Sequence, residues 1–383
     1  MKWPIFTNQE IKKVVSVIKS GNVNYWTGNE VKNFEKEFSN YIGNKFSIGV
    51  CNATLALEAS LRALGIQSGD EVITTPRSYN SSASCILKVG AKPIFADVDI
   101  STQNISILDL KKKITKKTKA IICVHLGGIP CDMQSIKKIA IKKKIKLIED
   151  CSQAHGAKYL NKNVGTFSDV AVWSFCNDKI ISTLGEGGMI STNNKKLYFK
   201  LWSLKEIGKD FRKTNTKFIP KFKWTHDFIG SNLRMTEVQA AVGRIQLKNL
   251  EIMVSRRRKI AMKLNNFFKT NKLFFVNEID NKYFNSYYRF YFFLNKNFSR
   301  NSNIREKIIL FLRKRGHDVS VGSCPEIYLE KPFRKITNKN FRLPNAMHLG
   351  KLSLAYSFSH LTKDKEVKKF CYDINKITKT VVK

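Results

Sequence analysis

The chain has 383 residues, 43% of them hydrophobic, and its 68 Lys and Arg against 30 Asp and Glu leave a net charge of +38. That length supports a sizeable core and more than one structural unit, and the composition excludes a disordered chain. No apolar run is long enough for a membrane span and no secretory signal opens the chain, so the expectation is a soluble cytoplasmic protein.

The charge has two readings. One is a non-catalytic, nucleic-acid-binding or regulatory protein. The other is lysine used generally as a surface residue. The lysines are spread along the chain (Lys111-Lys112-Lys113, Lys142-Lys143-Lys144, Lys195-Lys196, Lys379) and no helix-turn-helix, zinc-finger or aromatic RNA-binding signature accompanies them. The second reading is favoured, with no nucleic-acid partner, and the first is kept as an alternative. The eight cysteines form no Cys-x-x-Cys pair and the six histidines do not cluster with them, which predicts reduced, buried, structural cysteines and no metal site.

In chain order, Thr7-Asn8-Gln9-Glu10 reads as a capping box opening an amphipathic helix, with Ile11, Val14, Val15 and Ile18 on its apolar face and Gly21 at its end. Short β-branched runs then alternate with helical patterns. Strands are expected at 46–50, 71–75, 93–98, 120–124, 146–148, 170–175 and 188–191. Helices are expected at 54–64, 81–89 and 136–143. This alternation predicts an α/β fold: a large domain over 1–250 with a mostly parallel central sheet covered by helices. A long basic helix over 236–268 leads to a strand (287–294) and helices (304–315, 364–377), read as a smaller C-terminal α/β domain over 251–383.

Ligands of open parallel sheets bind beyond the carboxyl ends of the strands, so polar residues just after apolar runs are the candidates. Four places qualify. Cys51-Asn52-Ala53-Thr54 offers small residues at a helix N-terminus, an anion site, although Asn52 also suits a plain helix cap. Glu149-Asp150-Cys151-Ser152-Gln153 brings carboxylates out of a buried strand, which is costly unless they are paired. Ser174 to Lys179 precedes the glycine-rich turn Gly185-Glu186-Gly187-Gly188. Gly230-Ser231-Asn232 is a polar loop entering a helix. With Tyr79 as a ring-facing aromatic, these places would satisfy pyridoxal phosphate, which needs an anion hole, an acid, an apolar face and a lysine, but other phosphate-bearing ligands remain open at this point.

The run Ser174-Phe175-x-x-x-Lys179-x-x-x-Thr183-x-Gly185-Glu186-Gly187-Gly188 closely resembles the lysine segment of the DegT-type sugar aminotransferases. Gly69-Asp70-Glu71-Val72-Ile73 with Pro76, Phe95-Ala96-Asp97-Val98, Glu149-Asp150-x-x-Gln153-Ala154-His155-Gly156 and Asn232-x-Arg234-Met235-x-Glu237 follow the same pattern in register, from about 25 to 260 and more loosely beyond. The resemblance implies fold type I, the aspartate aminotransferase-like fold of pyridoxal 5'-phosphate (PLP)-dependent transferases. It implies transfer of an amino group, from glutamate, to a nucleotide-activated keto sugar in surface-polysaccharide biosynthesis. Lys179 would carry the cofactor as a Schiff base and shuttle protons. Asp150 would meet the pyridine nitrogen, Gln153 the ring hydroxyl and Tyr79 the ring face. Ala53, Thr54 and Ser174 would hold the phosphate, and Asn232 would reach it from a neighbouring subunit, hence a homodimer. Relatives with histidine at the lysine position are sugar dehydratases; Lys179 favours transamination over that or another fold-type I activity.

The chain departs from the family pattern at Ser323-Cys324-Pro325-Glu326-Ile327-Tyr328 and Ala355-Tyr356-Ser357-Phe358-Ser359, on the side expected to face the sugar. Arg77 is also unusual: it is read either as a ligand for a substrate anion or as a surface or ion-paired residue.

Overall fold

The alternating β-branched runs assemble into one seven-stranded sheet. In the computed structural model, which describes residues 3–214, 220, 226–298, 303–338 and 340–382, its strands are β1 (Phe46–Val50), β2 (Glu71–Thr74), β3 (Lys92–Phe95), β4 (Thr118–Val124), β5 (Lys146–Asp150), β6 (Val170–Ser174) and β7 (Gly188–Thr192). The spatial order is β1-β7-β6-β5-β4-β2-β3. β2 through β6 are mutually parallel, and β7 runs antiparallel to both β1 and β6. Their interior residues are apolar on both faces, as a sheet covered by helices on both sides requires.

The register brings one set of strand ends together. Asp150 pairs with Val124 and Val172, Ser174 with Gly188, and Gly188 also with Val50. The carboxyl ends of β1, β4, β5 and β6 therefore form one edge, and the candidate segments issue from it.

A second, four-stranded sheet is built from β8 (Phe274–Phe275), β9 (Phe290–Leu294), β10 (Val319–Ser320) and β11 (Ser353–Tyr356), in the order β8-β9-β11-β10 with every pair antiparallel. Its aromatic core, including Phe268, Phe292 and Phe370, takes in Phe95 and Val98 from the large sheet's side. The helix Glu237–Phe268 runs through residue 250 without a break and is buried along both halves.

Three expectations needed adjustment. β3 ends at Phe95 rather than Val98, because Asp97 turns to accept the backbone N–H groups of Asn345 and Ala346 at 2.9 Å each, capping the helix Pro344–Leu352. β9 begins at Phe290 rather than Tyr287, since Tyr287 sits at φ +52°. The first helix (Asn8–Lys19) has its capping box, but its buried side carries Glu10 and Val17, while Ile11, Val15 and Ile18 are exposed on the single chain. Among the described residues no helix is long and apolar enough to cross a membrane.

Candidate active site

A cavity of about 650 Å³ opens at the shared strand edge, between the two sheets. Ala53, Thr54, Tyr79, Asp150, Gln153, Ser174 and Lys179, seven of the eight predicted site residues, line it. Asn232 does not: it lies on an exposed loop bridged to Glu206.

The first wall is the N-terminus of the helix Ala53–Ala63. Asn52 is its cap, with Oδ1 accepting from Leu55 N at 2.9 Å, so the plain capping reading holds for that side chain. Thr54 Oγ1 lies 2.9 Å from Ser81 Oγ. Gly188 has a specific task here. A Cβ at that position would stand 2.7 Å from Asn52 C and 2.9 Å from Ala53 N, so only glycine lets β7 pass this close to the helix start. The helix's free N–H groups and dipole make this end attractive to an anion.

The floor is the end of β5. Successive strand residues point to opposite faces, and Glu149 and Asp150 divide accordingly. Glu149 is fully buried away from the cleft. It accepts from Gly165 N (2.8 Å), Phe167 N (2.9 Å) and Ser168 Oγ (2.8 Å), and its Oε2 lies 3.1 Å from His125 Nε2. His125 Nδ1 accepts from Cys131 N at 2.9 Å, so the ring proton sits on Nε2 and is donated to Glu149. Burial opposes the Glu149 charge, but His125 and these donors outweigh it and hold the carboxyl below its ordinary value. His125, Glu149 and Cys151 are the one cluster of metal-ligand type among the described residues, yet the histidine and carboxylate atoms are committed to these bonds. Asp150 faces the cavity, with Oδ2 accepting from Ser82 Oγ at 2.8 Å and Oδ1 from Ser152 N at 3.2 Å. Gln153 Oε1 accepts from Gly127 N at 2.9 Å, which leaves its NH2 for another acceptor.

Lys179 stands opposite. Its Nζ is 3.1 Å from Asp178 Oδ1 and 3.2 Å from Tyr288 Oη. Asp178 Oδ2 also accepts from the Tyr288 hydroxyl and, at 3.0 Å, from Arg289 Nη2. Burial by itself would lower the Lys179 pKa; Tyr288 and Asp178 outweigh it, and the amine is held above its ordinary value as an ammonium. Burial likewise opposes the Asp178 charge, but Lys179, Tyr288 and Arg289 keep that carboxyl below its ordinary value.

Asp178, Tyr288 and Arg289 escaped the sequence reading. Asp178 had a signal, its adjacency to Lys179. Tyr288 and Arg289 had none, because they come from the bend that leads into β9 of the second sheet, more than a hundred positions along the chain. The upper wall carries Gly322, Ser323 and Cys324, the last two from the 323–328 segment singled out in the sequence. Cys176 also faces the cavity, so the expectation that all cysteines are buried holds for Cys85, Cys123, Cys131 and Cys151 but not for the other four; all eight are free thiols. Arg77 is neither a surface residue nor ion-paired among the described residues. It is fully buried and its Nη2 donates to Gln103 Oε1 (2.7 Å) and Ser353 Oγ (3.3 Å), tying the large sheet to β11. Tyr79 lies on the rim, 72% exposed.

The profile of the DegT/DnrJ/EryC1/StrS aminotransferase family matches residues 4–375. The chain is 43% identical over 234 residues to the GDP-perosamine synthase of Escherichia coli O157:H7, covering 61% of this chain and 62% of that protein. It is 42% identical over 254 residues to the dTDP-3-amino-3,6-dideoxy-alpha-D-galactopyranose transaminase of Aneurinibacillus thermoaerophilus, covering 66% of each. Both alignments thus span less than two thirds of the relative's length. Among solved structures, the aminotransferase from Psychrobacter cryohalolentis superposes over 100% of both chains with a TM-score of 0.95 and 38% identity. With a lysine-bearing cleft at the carboxyl edge of a fold-type I sheet, and a family match over nearly its whole length, this chain belongs to the DegT/DnrJ/EryC1/StrS aminotransferase family of pyridoxal-phosphate-dependent enzymes.

Proposed function

We propose that this protein transfers an amino group from an amino-acid donor, glutamate, to a keto sugar carried on a nucleotide, in the cytoplasm, for surface-polysaccharide biosynthesis. The observation that carries the reading is the meeting of Lys179, Asp150 and a helix N-terminus in one cavity. The nucleotide-linked sugars in the names of the two curated relatives support the substrate class.

The residues present fit pyridoxal phosphate. Gly188 keeps the helix start clear of side chains, Asp150 offers a carboxylate in the cavity, and Lys179 offers the amine. When bound, the cofactor supplies an electron sink that acidifies the C–H beside the donor's nitrogen. Ala53, Thr54 and Ser174 would receive its phosphate, and Asp150 would keep a proton on its ring nitrogen. Gln153 would donate to the ring hydroxyl and Tyr79 would cover the ring. Lys179 Nζ must shed its proton to anchor the cofactor. Once released, it would carry the proton from the donor carbon to the cofactor's C4′, and the reverse transfer would serve the acceptor carbon. Asn232, on its exposed loop, would serve the cavity of a second copy in a homodimer.

The test begins with the purified protein. A visible absorbance band should be present, and borohydride should fix the cofactor on the peptide containing Lys179. Glutamate should then discharge the band in the unreduced enzyme. Attachment at any other residue, or no band in the presence of added cofactor, refutes the reading.

A further inference from the structure

We infer that the face built from the helix Met133–Lys143 and the hairpin 158–163 docks on an anionic lipid bilayer. A second cavity, of about 590 Å³, lies on this face and shares no residue with the first. The outer side of the helix carries Lys137, Lys138, Ile141 and Lys142, because Met133, Ile136 and Ala140 take the buried side. The hairpin adds Leu160 and Lys162, and Phe167 closes the floor with its ring edge-on to Tyr159, centroids 5.7 Å apart. Among the described residues no carboxylate lines this cavity and its four lysines make no ion pair; Asp132 and Asp169, the acids nearest in sequence, are taken by the Tyr159 hydroxyl and by Lys146.

Leu160 is the residue that points to a partner. Tyr159 pairs with Lys162, so Leu160 and Asn161 are the two central residues of a tight turn, at φ +47° and +61°. Such turns favour Asn, Asp or Gly, and a leucine there meets a steric cost. On the single chain Leu160 is 46% exposed and Ile141 69%, so that cost brings no burial. Apolar matter outside the chain supplies what the fold does not. An aliphatic at a hairpin tip, a second on a helix and lysines around both suit the bilayer interface. Leu160 and Ile141 enter the acyl boundary, and the four lysines reach the lipid phosphates on their flexible stems. The exposed Lys143 and Lys144 extend the positive charge. Duplex nucleic acid would meet the lysines but has no use for the aliphatics, and a second copy of this face would set like charges together. The helix leads to Lys146 at the start of β5, and the far end of that strand, Asp150, lines the first cavity, so docking leaves the cleft clear of lipid.

The test sediments the full chain with vesicles of phosphatidylglycerol and phosphatidylcholine in equal parts, and with phosphatidylcholine alone, at physiological salt. Binding to the mixed vesicles only is expected. Each lysine near an anionic leaflet is worth roughly fivefold in partitioning, so Lys138→Gln with Lys142→Gln should weaken binding roughly 25-fold. Leu160→Asn should weaken it roughly tenfold while the thermal unfolding midpoint holds or rises, because asparagine suits the turn. Ile141→Gln gives the same reading from the helix. Lys195→Gln with Lys196→Gln, an exposed pair on another helix, should change little. No binding to the mixed vesicles overturns the proposal. So does an equal loss in the Lys195 and Lys196 pair, which would assign the binding to the net charge of +38. Full binding by both Leu160→Asn and Ile141→Gln also overturns it, and lysine-dependent capture of duplex DNA by those variants would then name nucleic acid as the partner.

Discussion

Replacing Glu149 by glutamine tests whether the cleft floor is held from below. The carboxylate is fully buried and takes four donors: His125 Nε2, Gly165 N, Phe167 N and Ser168 Oγ. A glutamine oxygen can keep Phe167 N and Ser168 Oγ, which share Oε1 in the parent. Its NH2 then faces Gly165 N–H and the His125 ring proton, two donors against a donor. The histidine cannot escape by changing tautomer without giving up the bond from Cys131 N. Each stranded buried donor costs about 1–3 kcal/mol, and two are stranded (Gly165 N–H and the His125 ring N–H), so a loss of about 2–6 kcal/mol is expected. Urea unfolding at pH 7, followed by far-UV circular dichroism and tryptophan fluorescence, measures it. The pH dependence adds a second check. The Glu149 pKa in the fold is lowered, so its contribution is present above the ordinary glutamate value of 4.5 and is lost as pH falls through the folded value. The gap between parent and Glu149→Gln should therefore be full at pH 7 and shrink only in acid. A loss under about 1 kcal/mol at pH 7 would refute the claim that these four donors depend on the charge.

Two further outcomes follow from the same geometry. Gly188→Ala places a methyl 2.7 Å from Asn52 C, against backbone rather than a yielding side chain, so β7 or the helix start must shift. We expect about 1–3 kcal/mol of destabilisation and a weaker titration of pyridoxal phosphate; unchanged cofactor affinity would show that the helix start does not hold the phosphate. His155 is buried, and burial, with the nearby Lys179 charge, lowers its pKa from 6.5 to about 3. Between those values the unfolded chain binds a proton that the fold refuses, so stability falls as pH drops, by about 1.4 kcal/mol per pH unit. His155→Gln should remove that much slope between pH 6.5 and 5 in urea unfolding; equal slopes would refute the assignment.

The large sheet was legible because its strands are short apolar runs, most of them set between helices, and burial on both faces leaves little alternative. Lys179 and Asp150 were legible for a related reason: strand ends of a parallel sheet converge, so polar residues just past apolar runs meet in space. Burial by partners distant in the chain was not legible. Arg77 looked like a surface or substrate-facing cation, but Gln103 and Ser353, the latter far along the chain, take it into the interior. The stripe Ile11, Val15, Ile18 promised a core face, yet the capping box turns Glu10 inward with Val17 and leaves the stripe outside.

The same distinction separates the chemistry of the cleft from its selectivity. Apart from Asn232, proposed to reach in from a second copy, the groups proposed for cofactor chemistry come from the ends of strands and helices of one sheet, within residues 53–179, where order along the chain dictates proximity. The opposite wall (Tyr288, Arg289, Gly322, Ser323 and Cys324) belongs to the second sheet and its loops, and only the tertiary fold brings it over Lys179. That wall includes Ser323 and Cys324 of the 323–328 segment singled out in the sequence. Variation there changes the cavity's outer surface without touching the strand ends that hold Asp150 and Lys179. On the proposed function, swaps confined to 322–324 should alter the KM for the acceptor before they alter the titration of pyridoxal phosphate; an equal loss of both would refute the separation.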